Sequence, residues 1–87
     1  MKEILINIGF DLEDIDFLLE KLQTFGKYKV EKIVNLLTRY GCSKIFIKEI
    51  IINKNYIFSY DVDQLEYKLE AIVSNGELVE EVILDII

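Results

Sequence analysis

Three glycines, at positions 9, 41 and 76, recur in matched surroundings, and no other feature constrains this chain as much. They are 32 and 35 residues apart. An apolar pair precedes each one: Ile4 and Leu5, Leu36 and Leu37, Ile72 and Val73. Six residues after the glycines come Ile15, Ile47 and Val82, and ten after come Leu19, Ile51 and Ile86. Nine after come Leu18 and Ile50, but Asp85 breaks the third copy. Each unit therefore reads as a helix end, a glycine turn and a second helix. Glycine suits the left-handed position just past a helix because it has no Cβ to clash there. A period of this length belongs to helix-pair repeats. The expected fold is all-α, a short helix-turn-helix array of about five helices in one domain. Its units span about 1–26, 27–60 and 61–87.

Helix signals fill this frame. Asp11 is placed to cap a helix that continues through Leu22, with Glu13, Asp14 and Asp16 in the turn that the helix dipole favours for acids. Its apolar stripe reads Leu12, Ile15, Leu19 and Leu22. Phe10 is set to staple onto Ile15. Tyr28 to Tyr40 carries a stripe of Val30, Ile33, Leu37 and Tyr40. A further helix begins at Asp61, with Gln64 three residues on, and ends before Gly76. The segment from Lys44 to Val62 is ambiguous. Its β-branched and aromatic residues on either side of Asn53-Lys54-Asn55 would suit a β-hairpin around residues 45–60 in an α+β fold. Phe46, Ile47, Ile50 and Ile51 also make a helical face that Ser43 could cap, and the repeat favours the helix. The opening Lys2–Ile8 segment has the same ambiguity.

The run from Lys32 to Ile87 resembles the repeat of the mitochondrial transcription termination factor family. That repeat runs helix, glycine turn, helix, a short tight turn, and a serine-containing link to the next helix. Leu36, Leu37, Gly41, Ile47, Ile50 and Ile51 match its helix-glycine-helix part. Tyr56 to Ser59 match the short turn and link, and Leu65, Leu69 and Ile72 the next helix. Asn55 stands where the family commonly has proline. The resemblance implies a helical-repeat fold and, more distantly, nucleic-acid binding along a concave face.

Charge is segregated along the chain. Residues 1–26 carry a net −4, residues 27–59 a net +5 and residues 60–87 a net −7. A basic centre between acidic arms means either internal pairing or a basic face for an acidic partner. The basic residues in question are Lys29, Lys32, Arg39, Lys44 and Lys48, the candidate phosphate contacts of a nucleic-acid-binding module. The net charge of −6 argues against that use. An acidic inhibitor of a nucleic-acid enzyme is a weaker reading of the same pattern.

Several chemistries lack their residues. The chain has no histidine and one cysteine, so it cannot build a His-based triad, a disulfide framework or a cysteine/histidine zinc site. Counted from Asp11, the acidic run misses the calcium-loop pattern, with Ile15 at the fifth position and Leu22 at the twelfth. No cofactor is expected, and no membrane span. The absence of a basic-then-apolar leader reads as a cytoplasmic protein. Val82, Ile83, Leu84, Ile86 and Ile87 cannot all face one core, so either the segment folds back onto the body or Val82, Ile83, Ile86 and Ile87 form a partner or homodimer surface. The resulting expectation is a small non-enzymatic interaction module that binds a protein partner or itself.

Overall fold

A computed structural model describes residues 1–87. Six α-helices run in chain order: α1 (Lys2–Ile8), α2 (Leu12–Leu22), α3 (Lys27–Arg39), α4 (Lys44–Asn53), α5 (Val62–Ser74) and α6 (Val79–Ile86). Short 3-10 turns at Gln23–Phe25 and Asn55–Ser59 close the first two pairs. There is no strand, so the hairpin alternative for residues 45–60 is corrected to a helix followed by a 3-10 turn. Packing decides this against β propensity. Ile47, Ile50 and Ile51 lie on one helical face and are all buried. The Ser43 hydroxyl caps that helix by accepting from the Phe46 N–H at 3.2 Å. The sixth helix is the opening segment, whose character the sequence left open.

The glycine turns share one hydrogen-bond register. Gly41 has φ +94°, a region that side-chain-bearing residues rarely adopt. The Cys42 N–H donates to the Leu37 carbonyl at 3.0 Å, and the Gly41 N–H donates to Thr38 at 3.1 Å. This pairing satisfies two carbonyls that a helix end otherwise strands. After α1 the same bonds run from Phe10 to Leu5 and from Gly9 to Ile6. After α5 they run from Glu77 to Ile72 and from Gly76 to Val73. Such a turn is reinforced when the residue after the glycine is apolar and meets the helix's last turn. Phe10 and Cys42 are both buried, whereas Glu77 is exposed, so the third turn lacks that reinforcement.

Neighbouring units pack on one another. Unit one meets unit two mainly through α1 against α4, and unit two meets unit three through α3 against α5. The molecule measures 39 × 22 × 19 Å, the elongated shape a short stack produces. All 22 buried residues belong to one core, and every one is apolar. Phe25 and Phe58, one in each 3-10 turn, meet with ring centroids 6.0 Å apart.

The expected α2 stripe is rotated, and α6 departs from the offsets of the repeat. On α2 the buried residues are Ile15, Leu18 and Leu22, while Leu12 is exposed and Leu19 half-buried. On α6 the buried residues are Val79 and Ile83, not Val82 and Ile86. The last helix begins three residues after its glycine, as α2 and α4 do, but it turns a different side inward.

Candidate functional site

Because no polar or charged side chain is buried, any function has to be read from the surface. Three surfaces compete: the basic face of α3, the outer side of α6, and a groove between α2 and α4.

The basic residues do not form one face. Lys32 and Arg39 line a groove against α5, and its other wall carries Asp63 and Glu66. The Arg39 guanidinium donates to Glu66 at 2.6 Å. Lys32 donates to the Tyr28 hydroxyl at 2.9 Å and lies 5.1 Å from the centre of that ring. This bond holds the Lys32 ammonium above its ordinary value, helped by the charge of Tyr28 and by Asp63 and Glu66. Lys48 lies elsewhere, donating to the Gly9 carbonyl at 3.2 Å above the Phe10 ring. Lys29 is half-buried and Lys44 exposed, and neither lines the α3–α5 groove.

The acidic third unit instead clasps the second. Besides the Arg39–Glu66 pair, the Tyr40 hydroxyl donates to Glu70 at 3.3 Å and the Ser43 N–H donates to Glu80 at 3.1 Å. Burial pushes the Tyr40 hydroxyl above its ordinary value, with Glu70 and Glu66 adding to it. Three contacts thus tie unit three around the Gly41 turn. Internal pairing accounts for part of the charge segregation.

Little of the terminal apolar surface is exposed. Ile83 is 0 % exposed, so it is core and is withdrawn from the candidate interface. Val82 and Ile87 are half-buried against the core. The Ile87 carbonyl accepts from the Tyr56 hydroxyl at 3.3 Å, which folds the end of the chain back onto the second 3-10 turn. Of the four residues, only Ile86 remains exposed.

The α2–α4 groove was not legible in the sequence. α1 packs against both α2 and α4, and the groove lies between those two helices. The cleft that remains is about 320 Å³, lined by Phe10, Phe17, Leu18 and Ile52 and by Asp11, Asp14, Lys21 and Lys48. Phe17 is 66 % exposed and Ile52 47 % exposed. None of the four charged groups forms an ion pair within the chain, whose two ion pairs are Met1–Glu31 and Arg39–Glu66. Lys21 instead lies 6.0 Å from the centre of its own Phe17 ring. The available sequence signal was Phe17, an aromatic residue outside the apolar stripe of an otherwise regular amphipathic helix.

Cys42 lies beside the α4 start but is buried. Burial pushes its thiol up to about 12 from an ordinary 9.0, with the charge of Glu80 adding to the effect. A thiol that stays protonated is a poor nucleophile. Thiol-reagent labelling at pH 8 is expected to be negligible in the folded protein and complete in denaturant. The sign for stability follows from the raised value. The contribution of the neutral thiol is intact below pH 9.0 and is lost as pH rises toward about 12, a loss that Cys42→Ala should remove.

No three His, Cys, Asp or Glu residues come together as a metal-holding group, and no helix is long and apolar enough to cross a membrane. Comparisons with family models, curated proteins and solved structures find no match to this chain.

Proposed function

We propose that the chain is a small, non-enzymatic interaction module that binds an amphipathic helix of a protein partner in the α2–α4 groove. The observation that carries this reading is the pair of exposed apolar side chains, Phe17 and Ile52, over a floor of Phe10 and Leu18. Exposed apolar surface bounded by charge is the usual form of a helix-docking groove. The rim sets the chemistry of the occupant. Asp11 and Asp14 lie toward the start of α2, with Lys48 beside Phe10 at that same end, and Lys21 lies toward the end of α2, so the rim keeps a net negative end and a positive one. A fitting helix has an apolar centre, a basic residue about one turn to one side and an acidic residue about one turn to the other.

The nucleic-acid reading, which the family resemblance suggested, has less support. A phosphate entering beside Lys32 and Arg39 meets Asp63 and Glu66. The inhibitor reading is weakened because Glu66, Glu70 and Glu80 are engaged within the chain.

Selection from a displayed library of helical peptides tests the proposal. Peptides with that charge order should be enriched on the wild-type protein. Enrichment should fall about tenfold on Phe17→Glu, the effect of losing a central apolar anchor, and persist on Arg39→Glu. Equal recovery on wild type and Phe17→Glu would overturn the reading.

A further inference from the structure

We propose that the helix which occupies the α2–α4 groove is α2 of a second copy of this chain, packed antiparallel about a two-fold axis beside Phe17. This rests on the helix-docking reading above and names its occupant. Two of the groove's four charges, Asp14 and Lys21, are complementary to each other across a two-fold axis. Asp14, Phe17 and Lys21 follow one another at three- and four-residue spacing, so they form one stripe on the exposed flank of α2. Asp14 and Lys21 lie symmetrically about the midpoint between Phe17 and Leu18, each about 5 Å from it along the helix.

A two-fold axis through that midpoint brings Asp14 of one copy opposite Lys21 of the other, and the reverse. In such an isologous contact every pair occurs twice. The two Phe17 rings meet near the axis, where Ile52 and the edge of Phe10 add apolar wall. A parallel pairing would set Asp14 against Asp14 and Lys21 against Lys21. Neither Asp14 nor Lys21 has an ion-pair partner within its own chain. Glu13, Asp16 and Glu20 do not line the groove, so the more acidic side of α2 stays in water.

Complementary charge reversal tests this. Asp14→Lys gives a stripe that is positive at both ends, and Lys21→Asp gives one that is negative at both ends. Each variant alone faces like charges twice. An equimolar mixture forms a heterodimer in which the charges at positions 14 and 21 again meet their opposites. Both positions are exposed, and circular dichroism checks that both variants fold. Sedimentation velocity should show the wild type dimerising between about 10 and 300 μM, with each variant alone at least about tenfold weaker. The mixture should recover the dimer. A mixture that sediments as the sum of its parts would overturn the proposal, as would a wild type that stays monomeric throughout. A monomeric wild type that still selects Phe17-dependent peptides would remove the second copy as occupant and leave the helix-docking reading standing.

Discussion

Replacing Phe58 with alanine is expected to destabilise the fold by about 3–5 kcal/mol, the usual cost of emptying a buried aromatic site. Phe58 is fully buried and packs on Phe25, and its 3-10 turn lies against both α3 and α4. A domain of this size has a total stability of only about 5–10 kcal/mol, so the variant should lose a large part of it. Thermal unfolding followed by circular dichroism should show a midpoint at least roughly 12 °C lower, at about 4 °C or more per kcal/mol. A fall of less than a few degrees would mean that this turn is not part of the core. Phe25→Ala should cost less, because Phe25 is only half-buried.

The second large effect separates two neighbouring isoleucines on α6. Ile83→Asp puts a carboxylate at a fully buried position with no buried polar group near enough to receive it. An unpaired charge in an apolar core costs several kcal/mol or forces the segment to open. α6 should detach or the domain should unfold, and amide exchange in α6 should become fast. Ile86→Asp, at a position 37 % exposed, should change stability by no more than about 1 kcal/mol. Equal effects of the two changes would contradict the rotated face of α6.

That rotation shows how far the sequence can be read. The glycine turns were legible because their left-handed backbone needs glycine, and a fixed hydrogen-bond register follows from it. The helical nature of α4 was legible for the same reason, since its place after Gly41 outweighed its β-branched composition. The buried side of α6 was not. Counting from Gly76 carries the offset that Ile15 and Ile47 occupy to Val82, and the offset of Leu19 and Ile51 to Ile86. The third turn has Glu77 where the first two have Phe10 and Cys42, and Leu78 rather than Asp or Ser at the N-cap. Its helix packs through Val79 and Ile83 instead.

The candidate site was less legible than the fold. Charge segregation suggested a basic face, yet the partners that occupy it lie far along the chain. Arg39 meets Glu66, 27 residues on, and the Ser43 N–H meets Glu80, 37 residues on. No local pattern reports such pairings. The α2–α4 groove lies between two helices that both pack on α1, a consequence of packing order rather than of any motif. Phe17 marked it, but an aromatic residue off the apolar stripe acquires meaning only once the neighbouring helix is placed.

The most direct test of the recognition surface is a nitrogen–proton correlation spectrum of the labelled protein, recorded as a library-selected helical peptide is added. If the α2–α4 groove is that surface, the largest shift changes will fall on Asp14, Phe17, Lys21, Lys48 and Ile52 and leave Lys32 and Arg39 unmoved. Changes centred on Lys32, Asn35 and Arg39, with the groove residues silent, would contradict it.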